Sequence, residues 1–249
     1  MTGPERPSER SVGPERPSER SVRSALPEGE AKVQAVESMF DRIAPRYDLL
    51  NRLLTFGMDV GWRRQTVASL GLPRESVVLD IACGTGDLCR ELTDQGYRAV
   101  GVDRSAGMLA AARTDSPLVR GDGLRLPMAD ASVDGIVCGF ALRNFLSLGP
   151  FFAECARALR PGGRVALLEV AEPAHPVLRF GHSVYFGRVV PLVGGLLSDG
   201  AAYRYLPKSV AYLPAEPELM AMLSGAGFPN ACRTPMSLGI SQLLTGTRR

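Results

Sequence analysis

Residues 76–92 read SVVLDIACGTGDLCREL and pass from a strand pattern to a helix pattern across one short turn. The apolar, β-branched beginning predicts a buried strand over 77–82. Gly84 and Gly86 follow, and a glycine turn lets the backbone approach a ligand with no Cβ in the way. The spacing after the turn predicts a helix over 87–95. A strand, a glycine turn and a helix in this order are typical of the ligand-binding edge of an α/β sheet.

The same alternation continues through the rest of the chain. Further strands are predicted at 98–103, 117–122, 133–140 and 164–170, and further helices at 105–113, 149–159 and 215–226. Strands separated by helices at this spacing form parallel sheets. Two last strand patterns, at 231–238 and 240–247, are close enough in sequence to pair antiparallel. We therefore predict an α/β fold with a doubly wound, Rossmann-like, mostly parallel seven-stranded sheet and an antiparallel C-terminal strand.

The segments before the sheet are of two kinds. Residues 1–27 contain a perfect tandem repeat, GPERPSERSV, and are too poor in apolar residues to offset their chain entropy, which predicts a disordered tail. Residues 28–72 have apolar residues at helical spacing, interrupted at Pro45 and Gly57. They predict an N-terminal helical cap of about three helices.

Residues 73–249 form the predicted sheet domain, and one segment within it breaks the alternation. Residues 171–213 hold prolines, glycines, aromatic residues and an apolar run, with no strand pattern. We predict that this segment is an irregular lid insertion over the carboxyl edge of the sheet. The alternative is that its apolar residues are core beneath a long connection.

Composition excludes several classes of protein. The net charge of +3 is too small to indicate nucleic-acid binding, and no apolar run reaches the ~18 residues of a membrane span. No secretory signal pattern is present, which predicts a cytoplasmic protein. The five cysteines are scattered without CxxC spacing, so they predict neither a disulfide framework nor a zinc site. The two histidines, His175 and His182, are interpreted as surface or core residues rather than general bases, and their spacing indicates no metal site.

Acidic residues near the glycine turn indicate what it binds. A dinucleotide site would need Gly or Ala where Cys89 stands, and Asp87 would lie beside the pyrophosphate. A ligand with a positive end and no phosphate, such as S-adenosylmethionine, fits better. Asp103 ends the second strand, where a carboxylate accepts hydrogen bonds from ribose hydroxyls. Asp122, after the third strand, is placed to receive the adenine amino group, its alternative being an ordinary turn aspartate.

Three motifs carry a resemblance. VLDIACGTGD, GVDRSAGML and LRPGGRV are similar, in order and spacing, to the motifs of class I S-adenosylmethionine-dependent methyltransferases. Four further stretches, MFDRIAPRYDLLNRLLTFGMDVGWRR, GFALRNF, LEVAEP and AYRYLPKSV, resemble the menaquinone and ubiquinone biosynthesis C-methyltransferases. Ala82, in place of the first glycine of the general motif, is typical of the same family. The resemblance covers 36–249 and implies methylation of the ring of an isoprenoid quinol, demethylmenaquinol to menaquinol.

The resemblance also implies residue roles. It assigns Arg143 to hold a quinol oxygen or an activating water beside Asn144, with a structural ion pair as the alternative for Arg143. Tyr47 and Tyr203 are weaker candidates for positioning or proton transfer. The cofactor residues that it implies are Asp80, Gly84, Thr85, Gly86, Asp103, Asp122, Gly123 and Gly139.

Other functions stay open at this point. Cys83, Ala141 and Phe145 depart from the family motifs, so an enzyme acting on another aromatic or polyketide-like small molecule is an alternative. A non-catalytic S-adenosylmethionine-binding module is another. A lipid-like substrate further predicts transient contact with the membrane surface, at its inner face, and a homodimer is also considered.

Overall fold

The computed structural model of the chain describes residues 29–197 and 200–249, without the side chains of a few residues between 197 and 206. The tandem repeat and the remainder of 1–27 lie outside these ranges, so the disordered tail stays a prediction.

Seven strands form one sheet in the order β3-β2-β1-β4-β5-β7-β6. Strands β1 to β5 pair in parallel, and β7 is antiparallel to both β5 and β6. This arrangement confirms the predicted sheet, including the antiparallel C-terminal pair. The strands are β1 (Val77–Ile81), β2 (Arg98–Asp103), β3 (Leu118–Arg120), β4 (Val133–Gly139), β5 (Leu159–Val170), β6 (Cys232–Met236) and β7 (Ser241–Thr247).

Helices precede the sheet, connect its strands and follow β5. Within residues 29–76 three α-helices precede β1, and their breaks fall near Pro45 and at Gly57 as predicted. They are α1 (Gly29–Ile43), α2 (Tyr47–Leu54) and α3 (Met58–Ala68). The connecting helices are α4 (Asp87–Asp94), α5 (Ala106–Ala110), α6 (Leu148–Ala158) and α10 (Glu216–Gly225). The helices after β5 are α7 (Pro176–Val184), α8 (Val190–Leu197) and α9 (Gly200–Ser209). Among the described residues no helix is long and apolar enough to span a bilayer.

The core lies on both faces of the sheet, because successive side chains of a strand point to opposite faces. Leu79 and Ile81 of β1 pack in one cluster with Phe151 of α6. Val78 of the same strand packs in the other cluster with Trp62 of α3. Burying each such large apolar side chain stabilises the fold by roughly 1.5–3 kcal/mol. The carboxyl edge of the parallel strands is thereby fixed between helices.

The segment 171–213 differs from its prediction, since it is helical rather than irregular. Pro176 lies in the first turn of α7, where a proline breaks no helical hydrogen bond, whereas Pro191 follows a π-helical turn without a break and Pro207 lies inside α9. A π-helical turn, Tyr185–Val189, joins α7 to α8. Prolines that the sequence pattern presents as breakers are therefore accommodated within helices here. No strand occurs in the described part of this segment, as predicted.

Several element boundaries also differ, two of them by three residues or more. Strand β5 begins at Leu159 rather than 164, and it passes through Gly162, whose φ of 79° is accessible to glycine. Helix α5 ends at Ala110 rather than 113, and the Arg113 N–H donates to the Thr85 carbonyl (3.0 Å) instead of continuing the helix.

Candidate active site

The glycine turn after β1 is held by the acid at the end of β2. Gly84 and Gly86 have φ of 56° and 83°, which suit glycine. The Gly84 N–H donates to one Asp103 carboxylate oxygen and the Ser105 N–H to the other, each at 2.8 Å. Burial raises the pKa of Asp103 above its ordinary value. The turn and the acid therefore form one rigid unit facing a cleft.

Asp80 precedes this turn, and one of its carboxylate oxygens has no hydrogen-bond partner. It is fully buried; its Oδ2 accepts from the Cys89 thiol at 3.4 Å, and its Oδ1 has no partner. Burial raises the pKa of Asp80 to about 8. A cationic ligand above the turn would favour the ionised carboxylate, because opposite charges stabilise each other in a buried site. The acids around this turn thus fit a ligand with sulfonium and ammonium groups.

The cleft beside the turn encloses about 900 Å³ including its mouth. Of the predicted cofactor residues, those that line it are Gly84, Asp103, Asp122, Gly123 and Gly139. The other three, Asp80, Thr85 and Gly86, lie behind the lining. The Thr85 hydroxyl is turned away, since it donates to the Asp48 carboxylate of α2.

Close packing explains two glycines of the cleft wall. A Cβ on Gly123 would lie 2.6 Å from the Phe145 ring, and one on Gly139 would lie 2.9 Å from Leu88. The neighbouring Asp122 is partly engaged: its Oδ1 accepts from the Leu124 N–H and its Oδ2 from Arg104, both at 2.9 Å. Its placement on the wall agrees with the predicted adenine contact without testing it.

Helix α1 covers the cleft. Its Asp41 accepts hydrogen bonds from the Ser105 hydroxyl at 2.5 Å and the Gly107 N–H at 2.9 Å. Its Lys32 is buried, donates to the Phe145 carbonyl at 2.8 Å, and lies 3.7 Å from the Tyr212 ring centre. The apolar residues that α1 contributes to the cleft are Val33, Val36 and Phe40.

A second, larger and mostly apolar cavity adjoins the first. It encloses about 1490 Å³ including its mouth and is walled by α2, α3 and α7. Tyr47 and Phe140 line both cavities. Phe140 adopts a φ of 58°, which is costly for a side chain of its size and is found mainly at functional sites. We refer to the two spaces as the cofactor cleft and the apolar cavity.

Arg143 and Asn144 follow β4 and lie on different cavities. Arg143 lines the apolar cavity, is 6% exposed and forms an ion pair with fully buried Glu169. Its Nε donates to the Ser209 hydroxyl at 3.1 Å. Asn144 lines the cofactor cleft, and its Oδ1 accepts from the Tyr205 hydroxyl at 3.4 Å. The structure therefore contains the ion pair that was the alternative role for Arg143. Arg143 also lines the cavity, as the catalytic interpretation requires.

The two predicted tyrosines have different outcomes. Tyr47 lies between the cavities, its ring edge-on to Phe40 with centroids 5.9 Å apart. Burial raises the pKa of Tyr47, so its phenol stays protonated at neutral pH. The side chain of Tyr203 lies outside the described part of the structure.

Sequence patterns missed two charged groups of the cavity wall, Asp59 and Arg63. Arg63 of α3 lines the apolar cavity, pairs with buried Asp59, and reaches Asp87 at 3.0 Å. Asp87 thereby serves an ion pair between α3 and the first turn of α4. The available signal was the spacing of Asp59 and Arg63, because opposite charges four residues apart meet on a helix.

The sheet order, the glycine turn and the acid after β2 define the class: the fold is that of S-adenosylmethionine-dependent methyltransferases. The structure is similar to one such enzyme from Thermotoga maritima, at 19% identity and a TM-score of 0.60, over 86% of this chain and 99% of that one. It is also similar to phosphoethanolamine N-methyltransferase 2 of Haemonchus contortus in complex with S-adenosylhomocysteine. That match has 16% identity and a TM-score of 0.55, over 74% of this chain and 52% of the other.

Sequence relatives narrow the class. The model of the ubiE/COQ5 methyltransferase family matches residues 28–248, so the chain belongs to this family and is an S-adenosylmethionine-dependent methyltransferase. It is 42% identical to the demethylmenaquinone methyltransferase of Roseiflexus sp. strain RS-1, over 91% of this chain and 98% of that one. It is 41% identical to the ubiquinone/menaquinone biosynthesis C-methyltransferase of Syntrophotalea carbinolica, over 86% and 94%.

Proposed function

We propose that this protein transfers the methyl group of S-adenosylmethionine to a ring carbon of an isoprenoid quinol, converting demethylmenaquinol to menaquinol. The observation that carries the proposal is the meeting of the cofactor cleft and the apolar cavity at Tyr47 and Phe140. One space suits a polar methyl donor and the other a flat apolar ring with its tail. Family membership and the names of the relatives support the same reaction.

The shared wall suits direct methyl transfer. When bound, the cofactor supplies an electrophilic methyl group on its sulfonium. The acceptor carbon must lie in line with that methyl group at roughly 3–3.5 Å. Tyr47 and Phe140 are the residues that a ring at this position would touch, and both are anchored in packed aromatic pairs. They orient the acceptor and exclude water from the junction.

Arg143 and Asn144 take the roles of charge stabiliser and positioning group in this proposal. A quinol becomes a better carbon nucleophile as a ring hydroxyl loses its proton, so negative charge develops on the ring oxygen. The Arg143 guanidinium, held by Glu169 and Ser209, offers its remaining donors to that oxygen. Asn144 lies on the cofactor side of the same turn.

The cofactor contacts are assigned as the sequence predicted. In this proposal the Asp103 carboxylate accepts hydrogen bonds from the ribose hydroxyls of the cofactor. Asp122 and Gly123 contact its adenine. The turn at Gly84 carries the methionine end, above the unpartnered Asp80 oxygen.

Exposed apolar side chains ring the mouth of the apolar cavity. Phe56, Val177, Leu178 and Leu238 line the cavity and are 78%, 71%, 40% and 77% exposed. We call these four residues the apolar rim. Because a long isoprenoid tail dissolves in a bilayer, we propose that this protein lies in the cytoplasm and applies the rim to the inner face of the membrane. A homodimer that covers the rim is the competing arrangement.

The proposed reaction is tested with labelled S-adenosylmethionine and reduced naphthoquinols or benzoquinols that carry tails of different lengths. We expect transfer to naphthoquinols, with a KM that falls as the tail lengthens. Leu178→Asp should raise KM for a long-tailed quinol much more than for a tail-less one. Leu192→Asp, at an exposed position off the cavity wall, is the matched control. Equal effects of Leu178→Asp on both substrates would contradict the tail site.

A further inference from the structure

One buried nitrogen on the apolar cavity has no protein partner. In the described residues, three buried side-chain nitrogen or oxygen atoms make no hydrogen bond: Asp80 Oδ1, Arg248 Nη1 and His182 Nε2. The first lies beneath the cofactor turn, and the second lies beyond β7. His182 Nε2 is the one whose residue lines the apolar cavity. Buried polar atoms in native proteins are normally paired, so an unpaired one on a cavity wall is a group that can bind a ligand.

Four other polar groups of this wall have protein partners. The Tyr185 hydroxyl donates to the Leu54 carbonyl at 2.7 Å, and the Thr55 hydroxyl donates to Asp59 at 2.8 Å. Arg63 and Arg143 are held in the ion pairs described above. His182 is therefore a hydrogen-bonding group of the cavity wall that the protein leaves uncommitted.

The position of His182 on α7 suits contact with a flat ligand. Leu178, His182 and Tyr185 line the cavity from one face of α7 and the turn that follows it. The imidazole lies against the Phe186 ring, with centroids 4.4 Å apart, which fixes its plane. Gly181 also lines the cavity, and a Cβ there would meet nothing within 4 Å. The wall thus leaves room beside the imidazole.

We infer that His182 Nε2 hydrogen-bonds a ring hydroxyl of the acceptor and takes its proton during methyl transfer; this inference rests on the proposed function. The O–H bond breaks toward Nε2 as the carbon–methyl bond forms and the sulfur–methyl bond breaks. The methylated ring carbon then releases its own proton to water, and the imidazolium returns the first proton to the ring oxygen. The balance is one methyl group gained, one proton released and one S-adenosylhomocysteine formed.

The surroundings keep the imidazole neutral. Burial lowers the pKa of His182 below its ordinary value, with Glu172 acting in the opposite direction. A neutral imidazole is the form that can accept a proton. The other charged or titratable groups that line the same cavity are Tyr47, Asp59, Arg63, Arg143 and Tyr185. As pH falls through the lowered pKa, imidazole becomes imidazolium, so kcat/KM should fall on the acid side.

The test compares His182→Gln, which keeps a polar group without a titrating one, with His182→Phe, which keeps only a ring. His175→Gln is the matched control, since His175 is exposed and lies off the cavity wall. We expect His182→Gln to hold KM for the quinol within about threefold, to lower kcat by roughly 10²-fold, and to lose the acid limb. His182→Phe should lower kcat further and raise KM. Cofactor affinity and melting temperature should change little in His182→Gln.

Two failures are distinguishable. If the wild type methylates the quinol and His182→Gln keeps its kcat and its acid limb, the role of His182 is overturned and the proposed function stands. If the wild type methylates no quinol, the proposed function is overturned, and the His182 inference with it. Should His182→Phe fail to fold, His182→Gln decides alone.

Discussion

Asp103 connects the cofactor turn to the end of β2, and its role can be measured at the level of one residue. Its carboxylate holds two backbone N–H groups and faces the cofactor cleft. We expect Asp103→Ala to weaken S-adenosylmethionine binding by about 1.5–3 kcal/mol, the scale of a hydrogen bond to a charged group. Titration calorimetry measures this, and Asp115→Ala, at an exposed loop position, is the control. Wild-type affinity in folded Asp103→Ala would contradict the assignment.

Arg143 has a structural role and a proposed chemical one, and a pair of variants separates them. Arg143→Ala leaves Glu169 buried without its cation, so the free energy of unfolding should fall by about 3–5 kcal/mol. Arg143→Met with Glu169→Gln removes both charges and should recover most of that stability. If Arg143 also stabilises charge on the substrate, kcat in the double variant stays about 10²–10³-fold low. Chemical denaturation and steady-state rates decide, and near-normal turnover in the double variant would leave Arg143 with only the structural role.

At the scale of single elements, α1 is fastened over the cofactor cleft by a buried lysine. Burial lowers the pKa of Lys32 to about 8 from 10.5, so the unfolded chain binds a proton that the folded chain has released between these pH values. The free energy of unfolding should therefore rise as pH rises from 8 toward 10, and this rise should be absent in Lys32→Met. Lys208→Met, at the other lysine of the chain, is the matched control. Parallel pH profiles for the wild type and Lys32→Met would contradict the prediction.

The elements that sequence patterns predicted well are those with one clear period. Strand β1 and helix α4 agree with their predicted ranges except for a single residue at the C-terminal end of each. The agreement is close because the buried apolar residues and the glycines both mark the junction between them. Residues 171–213 were harder, since α8 is apolar on nearly every face and prolines lie within the helices of this segment. Periodicity cannot show which face of such a helix is buried. The cofactor wall at Asp103 and Gly123 was predictable for a similar reason: each ends or follows a recognisable strand.

Other features of the site depend on long-range contacts that no local pattern contains. The Arg143–Glu169 ion pair joins the turn after β4 to β5, and Arg63 reaches Asp87 from a different helix. His182 was interpreted as an ordinary surface or core residue, and only the cavity shows that its nitrogen lacks a partner. Sequence spacing therefore predicted residues that line one cleft, whereas the ion pairs on the wall of the apolar cavity depend on tertiary packing.

The whole molecule presents an apolar surface around the mouth of its larger cavity. Besides the apolar rim, Phe180 and Leu196 are 70% and 78% exposed on α7 and α8. Replacing Phe56, Phe180 and Leu196 together by serine should weaken binding to anionic phospholipid vesicles at least tenfold, because each buried apolar side chain contributes about 1.5–3 kcal/mol. Val119→Ser, at a partly exposed position on β3, is the control, and vesicle flotation is the measurement.

Light scattering on the same proteins distinguishes membrane docking by this surface from burial of the surface in a homodimer. Unchanged vesicle binding in the triple serine variant would contradict membrane docking. A dimeric wild type that becomes monomeric in that variant would instead assign this exposed apolar surface to a homodimer interface.

The most direct test of the proposed reaction identifies the atom that receives the methyl group. The protein is incubated with S-adenosylmethionine labelled with ¹³C in its methyl group and with reduced demethylmenaquinone, and the product is examined by mass spectrometry and NMR. We predict one labelled methyl group on the ring carbon of menaquinol, and none when the quinone is kept oxidised, because the oxidised ring has no electron-rich carbon to attack the sulfonium. Label on an oxygen atom, or no transfer by a protein that binds S-adenosylmethionine, would contradict C-methylation of the quinol.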